Sequence, residues 1–335
     1  MLRLFNIDLH TSVIADVTHV LKDIYGDAID ITNWSISGHD WVFGKPTADI
    51  KVFNQHTWKN IDEKMIQEFV EYYRDELTQY DGFIVTHTPV LALLYETFNK
   101  PIIVVNSCRY EQPYSWKRDI DGWEWLNSKF RNMKNVHFIS NNKADQEYLK
   151  LGTGIESKHI PSLCLYTGHK YTGAFSEKVI QHGTYPVRYT WQWLYNNKAI
   201  VHVPYEISTM SIFEQYSANV PLFFPTKRFL REMQTLKSVY GPLHPNLRVC
   251  ADMNWWIERA DYYDLPHIIY FDNEEELNEK IKTLDFQQIS KNMETHNNFR
   301  KERVYQQWRE VIEGIEDWAD KLNQSDGRRN MTLQN

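Results

Sequence analysis

The clearest indication of the fold is the segment Ala199-Ile-Val-His-Val-Pro-Tyr-Glu-Ile-Ser-Thr-Met-Ser-Ile-Phe-Glu-Gln-Tyr-Ser-Ala-Asn-Val-Pro-Leu-Phe-Phe224. It begins with one apolar run, 199–203, and ends with another, 221–224, and both have the length and composition of buried strands. Between them the pattern predicts a short polar loop and then a short helix over 211–217. Continuous apolar strands joined by helices are typical of a parallel sheet covered on both faces.

The start of this helix is rich in hydroxyl groups. Ser208, Thr209 and Ser211 lie there, with Glu206 and Glu214 on either side. The first amides of a helix have no acceptor within the helix, so such a helix start can bind an anion. Ligands of open parallel sheets bind at the carboxyl ends of the strands. The stretch therefore predicts a site for a phosphorylated ligand at that edge of the sheet.

The alternation of strand and helix patterns extends over the whole chain. The predicted strands are 2–7, 29–32, 50–53, 82–85, 102–105, 136–139, 199–203, 221–224 and 267–271, and 159–161 closes the first half of the chain. The predicted helices are 12–24, 61–77, 90–98, 141–151, 188–196, 211–217, 226–236, 274–284 and a long, interrupted helix over 286–322. This order predicts an α/β protein with two Rossmann-like, doubly wound domains.

Turn and breaker residues within 161–176 predict the boundary between the two domains. We expect an N-terminal domain over 1–165 and a C-terminal domain over 166–300. The helix over 301–322 is expected to pack back on the first domain, and the polar tail 323–335 to be disordered. Two such sheets in tandem predict strand ends that face a central cleft, where a ligand binds.

Three loops follow strands of the first domain, namely 8–11, 86–89 and 106–111. Because the carboxyl ends of parallel strands share one edge, we expect these loops to converge on the cleft. His10, His87 and Arg109 are their ionisable candidates for proton transfer or for binding a leaving phosphate, with Asp8 and Glu111 beside them. Each histidine has an alternative as a structural hydrogen-bonding residue.

Composition narrows the class of protein. The net charge of −7 argues against a nucleic-acid binder, which needs a basic face. No apolar run has the length of a membrane span, and the first residues do not form a signal peptide. The scattered Cys108, Cys164 and Cys250 fit free thiols in a reducing compartment better than a zinc site. We therefore expect a soluble, cytoplasmic protein without a transmembrane segment.

The order of elements resembles that of the GT-B glycosyltransferases. The stretch from Glu206 to Glu214 resembles the Glu-x7-Glu element of retaining members of that fold. As architecture the resemblance covers the whole chain, and as a motif it covers about 166–226. It implies an enzyme that moves a sugar from a UDP- or GDP-sugar donor, bound by the C-terminal domain, to a hydroxyl of a sugar or glycan acceptor on the N-terminal domain. The Glu-x7-Glu element favours retention of the anomeric configuration.

The resemblance also implies a role for each residue of the motif. Glu214 would bind the ribose hydroxyls, because a carboxylate can accept two hydroxyl hydrogen bonds. Glu206 would lie near the transferred sugar, with Tyr205 beside it. The diphosphate would be held by the hydroxyls and amides of Ser208, Thr209, Met210 and Ser211. The chain departs from the family pattern here, since its loop contains no glycine.

The departing diphosphate also needs a cation. Lys170 is the first candidate, because it lies in a predicted hinge loop facing the cleft. Arg188 and the pair Lys227-Arg228 are further candidates, and ordinary surface charge is the alternative for each. The candidate catalytic residues are Glu206, which the resemblance implies, and His10, His87 and Arg109, which the loops at the strand ends supply. An inverting enzyme would use one of the first-domain groups as its base.

A metal requirement is not expected. Asp119-Ile-Asp121 matches the Asp-x-Asp pattern that binds Mg²⁺ or Mn²⁺ in the other main glycosyltransferase fold. There the pattern ends an apolar strand, whereas here it lies in a polar stretch after Trp116-Lys-Arg118. The pattern is therefore interpreted as accidental, and no cofactor is expected beyond the donor.

Alternatives remain open for Glu214 and for the function. Ser211 and Glu214 have the spacing of a capping box, in which the glutamate accepts from the N-cap amide. Two other functions fit the same architecture, a nucleotide-sugar epimerase and a non-catalytic, two-lobed protein that binds a sugar or a nucleotide.

Overall fold

The computed structural model describes residues 1–37, 50–173, 178–186, 188–236 and 250–332, with side chains up to residue 315. The chain divides into two units. Unit 1 comprises Met1–Asn141, Leu149–Ile160 and Val304–Asn335, and unit 2 comprises Asn142–Tyr148 and Pro161–Arg303. Each unit contains one parallel sheet, so the predicted α/β class with two sheets is confirmed.

Unit 1 is built on six parallel strands. In chain order they are β1 (Leu2–Asp8), β2 (Ile29–Ser35), β3 (Gly82–Val85), β4 (Ile102–Asn106), β5 (Val136–Ser140) and β6 (Lys158–His159). Their order across the sheet is β2-β1-β3-β4-β5-β6. The direction of strand addition therefore reverses between β1 and β3, and such a switch point is where open α/β sheets bind ligands.

The helices that follow these strands match most of the predicted ones. They are α1 (Thr11–Tyr25), α2 (Glu63–Leu77), α3 (Tyr114–Lys117), α4 (Ile120–Asn132) and α5 (Lys143–Thr153), with 3-10 helices at Gly26–Ala28, Trp58–Asn60 and Pro89–Phe98. The predicted strand over 50–53 does not form. Val52 has a φ of 79°, and a positive φ is incompatible with extended backbone.

The core of unit 1 lies on both faces of its sheet. All residues of β3 and β4 are buried, as the continuous apolar runs predicted. Phe83 on β3 stacks on Tyr95 of the following 3-10 helix, with ring centroids 4.2 Å apart and planes within 4°. This packing fixes the strand ends from which the polar loops depart.

Unit 2 is built on four parallel strands, with the order β10-β9-β8-β7. They are β7 (Val179–Gln181), β8 (Ala199–Val201), β9 (Leu222–Pro225) and β10 (Ile269–Phe271). The helices that follow are α6 (Trp191–Tyr195), α7 (Met210–Ser217), α8 (Lys227–Met233), α9 (Met253–Ile257), α10 (Glu274–Thr283) and α11 (Phe286–Thr332), with 3-10 helices at Leu165–Thr167 and Asp261–Tyr263. The strand–helix–strand order of 199–224 is therefore present as predicted.

α11 differs from its prediction. It runs without the expected break and continues through 323–332, where a disordered tail was predicted, while 333–335 lie outside the described residues. The segment contains no proline and is rich in residues of high helix propensity, which accounts for the continuous helix. From Val304 onward it belongs to unit 1, where Tyr305 donates to the Asp23 carboxylate and Lys158 pairs with Glu310. Among the described helices, none is both long and apolar enough to cross a membrane.

Candidate functional site

At the switch point of unit 1, the carboxylate of Asp8 joins two loops. Asp8 ends β1 and is fully buried. Its Oδ2 accepts hydrogen bonds from the backbone amides of Thr86, His87 and Thr88, at 2.9, 2.8 and 3.0 Å. Its Oδ1 accepts from the Thr88 hydroxyl at 2.8 Å and from the Leu9 amide at 2.6 Å. Because both oxygens are engaged, Asp8 is a structural tie and a poor candidate for the base.

The tie brings two histidines together. The rings of His10 and His87 lie with centroids 4.8 Å apart, and His87 Nδ1 lies 2.8 Å from the hydroxyl of Ser107, which follows β4. Burial lowers the pKa of His10, although the charge of Asp8 opposes the shift. Burial, followed by the charges of His10 and Arg109, holds the pKa of His87 well below its usual value. Both rings are therefore uncharged at neutral pH and able to accept a proton.

Arg109 lies beside this pair. Its side chain is 6% exposed, and one Nη atom lies 3.5 Å from Sγ of Cys108. Its charge contributes to the low pKa of His87, which places it within electrostatic range of that ring. The predicted convergence of the three loops after β1, β3 and β4 therefore brings His10, His87 and Arg109 together at one edge of the sheet.

In unit 2, the start of α7 carries the hydroxyl groups singled out from the sequence. Thr209 is the N-cap residue, with extended backbone, and its hydroxyl lies 3.0 Å from that of Ser211. The Ser211 hydroxyl in turn lies 3.1 Å from Nε2 of His182, the residue after β7. α7 thus presents its first amides beside two hydroxyls and an imidazole, which is a chemically suitable setting for a phosphate group.

A stack of aromatic rings stands next to this helix start. His202, which follows β8, is 3% exposed and lies between His182 and Phe224, with centroid distances of 4.6 and 4.7 Å. Its Nε2 lies 2.7 Å from Oε1 of Gln215 on α7. Burial, followed by the charge of His182, lowers the pKa of His202 to about 3, against the opposing hydrogen bond with Gln215. His202 is therefore an uncharged ring that fixes α7 against the strand ends.

Glu214 does not close a capping box. The N-cap of α7 is Thr209, which makes no side-chain capping hydrogen bond, and Ser211 lies inside the first turn. The Glu214 carboxylate accepts a hydrogen bond from the hydroxyl of Tyr166, in the 3-10 helix Leu165–Thr167. The predicted alternative is thus wrong, because α7 begins one residue earlier than the pattern indicated and Ser211 is not at its N-cap.

Comparison with known proteins bears on the fold. No protein-family profile matches the sequence, and no curated protein is significantly similar to it. Among solved structures, the glycosyltransferase SnogD from Streptomyces nogalater matches with a TM-score of 0.50 at 9% identity, over 94% of this chain and 99% of SnogD. The chain has the GT-B fold.

Two further structures with the GT-B fold are less similar. The spinosyn forosaminyltransferase SpnP matches with a TM-score of 0.47 at 9% identity, over 93% of this chain and 99% of SpnP. The glycosyltransferase VinC, solved in complex with dTDP, matches with a TM-score of 0.40 at 10% identity, over 96% of this chain and all of VinC. The fold assignment rests on SnogD, because its TM-score is the one that reaches 0.5 among these three.

Within the GT-B fold, Lys170 lies away from the start of α7. Its ammonium group donates to the carbonyl of Ser217, the last residue of that helix, at 2.6 Å. An eight-residue helix is about 12 Å long, so Lys170 is at the wrong end to join Ser208 and Ser211. This differs from the prediction, and the reason is that a cation is stabilised at the carbonyl end of a helix.

The other predicted cations have different surroundings. Lys227 pairs with Glu258 at 2.6 Å, and Arg228 pairs with Asp272 at 3.1 Å. Each charge is therefore paired with a carboxylate beside α8. Arg188 is exposed in the segment before α6. Neither of the two ion pairs involves a residue at the start of α7.

Glu206 and Tyr205 lie in the loop between β8 and α7, as predicted. Tyr205 is 48% exposed, and partial burial followed by the charge of Glu206 raises the pKa of its hydroxyl. Glu206 itself is partly exposed. Both side chains therefore remain accessible to a ligand at the carboxyl edge of the sheet.

Sequence reasoning missed His182 and His202. His202 was visible as a single polar residue at the end of an apolar strand, which is where α/β sheets carry functional groups. His182 gave no comparable signal, because β7 is a three-residue strand with an ordinary polar flank.

Asp119, predicted not to bind metal, caps α4 by accepting from the Gly122 amide at 2.9 Å.

Proposed function

We propose that this chain is a glycosyltransferase that moves a sugar from a nucleotide-sugar donor to a hydroxyl group of an acceptor. The observation that carries the proposal is the start of α7, where the N-terminus of the helix, the hydroxyls of Thr209 and Ser211 and the His182 ring meet at the carboxyl ends of β7 and β8 in a chain with the GT-B fold. A diphosphate is the anion that this fold and this helix start suit together.

The donor is assigned to the residues around α7. The amides and hydroxyls of Ser208 to Ser211 bind the diphosphate, where negative charge develops as the sugar leaves. The Glu214 carboxylate, oriented by the Tyr166 hydroxyl, accepts from the ribose hydroxyls. Glu206 and Tyr205 bind the transferred sugar. The donor is a UDP- or GDP-sugar, and the reaction uses no metal ion, because hydrogen-bond donors stabilise the negative charge of the leaving group.

Two stereochemical courses are consistent with these residues. The Glu-x7-Glu spacing of Glu206 and Glu214 favours retention, in which no base from unit 1 is needed. The uncharged His10–His87 pair favours inversion instead. In that course His10 takes the proton from the acceptor hydroxyl, whose oxygen forms a bond to the anomeric carbon. The bond from that carbon to the phosphate oxygen breaks, and Arg109 remains a candidate for binding phosphate charge.

The test is to incubate the full chain with UDP-, GDP- and dTDP-sugars, with and without a panel of sugar acceptors, and to measure released nucleoside diphosphate. We expect release that depends on acceptor, and a loss of about tenfold in kcat/KM in Ser211→Ala, which corresponds to one strong hydrogen bond in the transition state. Thr283→Ala on α10 is the matched control, since its hydroxyl bonds only to the preceding turn of its own helix, at Glu279.

The outcomes separate the competing functions. Binding of a nucleotide-sugar without release, under every acceptor condition, would overturn the transferase and favour a non-catalytic binding protein. Conversion of one nucleotide-sugar into another without an acceptor would favour the epimerase. NMR of the product's anomeric proton then distinguishes retention from inversion.

A further inference from the structure

A cavity in unit 1 lies between the starts of α2 and α4. Its volume is about 400 Å³, and its lining includes Asp62, Glu63 and Lys64 from one side and Tyr114, Asp119 and Trp125 from the other. This volume falls in the range of small-molecule sites and accommodates one sugar ring with room for a substituent. Neither His10 nor His87 lines it, so it is separate from the histidine pair.

Two aromatic rings form one wall of the cavity. Tyr114 is 5% exposed, and its hydroxyl donates to the carbonyl of Ile61 at 3.3 Å. Trp125 Nε1 donates to Glu63 Oε1 at 3.3 Å, and the two rings meet edge to face, with centroids 6.2 Å apart and planes at 80°. Both rings are therefore held in place before a ligand arrives. A flat aromatic face beside carboxylates, as at Trp125, suits a sugar ring, which is apolar on its faces and polar at its edge.

The rim of the cavity is acidic. Three carboxylates, Asp62, Glu63 and Asp119, line the cavity with the ammonium group of Lys64, and a second ammonium group, that of Lys129, lies 3.8 Å from Glu63. Asp62 and Asp119 each cap a helix through Oδ1, accepting from Met65 at 2.8 Å and from Gly122 at 2.9 Å, so that Oδ2 can accept from a ligand. Lys64 lies 3.6 Å from Glu68, which further reduces its effect. The electrostatic balance favours a cation and disfavours an anion.

The backbone of Gly122 packs closely against the Tyr114 ring and keeps this aromatic wall of the cavity in position. A methyl group added at Gly122 would lie 2.4 Å from the Tyr114 ring and 2.6 Å from the Asp119 carboxylate. The glycine therefore lets the tyrosine ring and the capping carboxylate sit together at the edge of the cavity.

We infer that this cavity binds an amine-bearing sugar, in which a hydroxylated ring lies on Trp125, with the buried Tyr114 ring behind it, and an ammonium substituent faces the carboxylates of Asp62, Glu63 and Asp119. The role of this ligand as an acceptor, or part of one, rests on the proposed glycosyl transfer. The binding itself does not, because it depends only on the cavity of unit 1.

The test measures binding to the full chain by saturation-transfer NMR and calorimetry, without any nucleotide-sugar. The probes are glucosamine, glucose and glucuronate, which present a cation, a neutral group and an anion on a similar ring. We expect glucosamine to bind about tenfold more tightly than glucuronate, with glucose between them. The advantage of glucosamine should shrink as NaCl is raised from 20 mM to 500 mM, because the screening length shortens about fivefold over this range.

Variants locate the site. Trp125→Ala should weaken glucosamine binding about tenfold, as expected for an aromatic anchor, while Trp125→Phe keeps a ring and loses less. Glu63→Gln should leave glucose binding unchanged and remove much of the preference for glucosamine. Glu71→Gln, on the exposed face of α2, is the matched control and should change neither. A thermal melt of each variant confirms that it is folded.

Two results would overturn the inference. One is equal affinity for glucosamine and glucuronate in the wild-type chain, including no saturable binding of either. The other is wild-type glucosamine affinity in both folded Trp125 variants. Failure here leaves the transferase proposal intact, because nucleoside diphosphate release is measured separately. Conversely, a chain that binds glucosamine but releases no nucleoside diphosphate would overturn the transferase alone.

Discussion

The ring centroid of His10 lies 4.8 Å from that of His87. The two residues follow different strands of one sheet, and the buried Asp8 carboxylate bonds to the loop that carries His87 and thereby holds the pair together. Burial lowers the pKa of both rings. A partly buried, uncharged histidine at the switch point of a parallel sheet is a candidate for proton transfer.

The first prediction concerns His10. If the transfer inverts configuration, His10→Gln should lower kcat about a hundredfold, the usual loss for a general base. Because the pKa of His10 is lowered, the base stays unprotonated below pH 6.5, and the acidic limb of the wild-type pH–rate profile should have its midpoint below that value. Nucleoside diphosphate release measured between pH 5 and pH 9 checks both expectations.

His56→Gln provides the control, since His56 is an exposed histidine of unit 1. Its profile should match that of the wild-type chain. An unchanged kcat in His10→Gln at every pH, with product of retained configuration, would exclude His10 as the base. It would favour the retaining course, in which Glu206 lies near the transferred sugar and no base from unit 1 is needed.

The second prediction concerns Asp8. Asp8→Asn places an amide where a carboxylate oxygen accepts three backbone hydrogen bonds, so at least one group is left unsatisfied in a buried site. We expect the free energy of unfolding to fall by about 3 kcal/mol, in the range for hydrogen bonds to a buried charge. Urea unfolding measures the loss, and Asp27→Asn, an exposed aspartate before β2, should be neutral. Equal midpoints for the two variants would contradict the structural tie.

The third prediction concerns Glu214. If its carboxylate binds ribose, Glu214→Ala should weaken nucleoside diphosphate binding about tenfold, and Glu214→Gln by less, because the amide still offers one acceptor. Calorimetry with UDP and GDP gives both affinities. Tyr166→Phe removes the hydroxyl that orients Glu214 and should have an intermediate effect. Unchanged affinity in both Glu214 variants would leave the glutamate with a structural role only.

Most strands of the two sheets could be predicted, and β3 and β4 gave the clearest signal, because strands buried on both faces are continuous apolar runs. β3 was predicted with the bounds that the structure has, Gly82–Val85. β7 was missed since it has three residues, half-buried, and takes its conformation from pairing with β8 rather than from its own pattern. The strand predicted over 50–53 failed for the converse reason, a local positive φ at Val52 that composition does not reveal.

The candidate site also has a part that the sequence predicts and a part that tertiary packing determines. The meeting of His10, His87 and Arg109 could be predicted because parallel strands bring their carboxyl ends to one edge. The contacts of Lys170 and Glu214 could not, because each depends on a partner fixed by tertiary packing, the Ser217 carbonyl and the Tyr166 hydroxyl. Spacing along the chain sets which residues share an element, while the direction of a long side chain is decided by what lies beside it.

The last prediction concerns His202 and pH. The pKa of His202 is about 3 in the folded chain and about 6.5 when unfolded, so between these values the unfolded state binds a proton that the folded state does not. Stability should therefore fall as the pH drops below about 6.5, by about 1.4 kcal/mol per pH unit from this residue. His202→Gln lacks this contribution. In urea unfolding of the full chain, the free energy of unfolding of the wild-type chain should therefore exceed that of His202→Gln by less at pH 5 than at pH 7. His169→Gln, an exposed histidine of the same unit, should keep the wild-type slope. Parallel stability curves for the wild-type chain and His202→Gln would mean that His202 is not buried uncharged between His182 and Phe224.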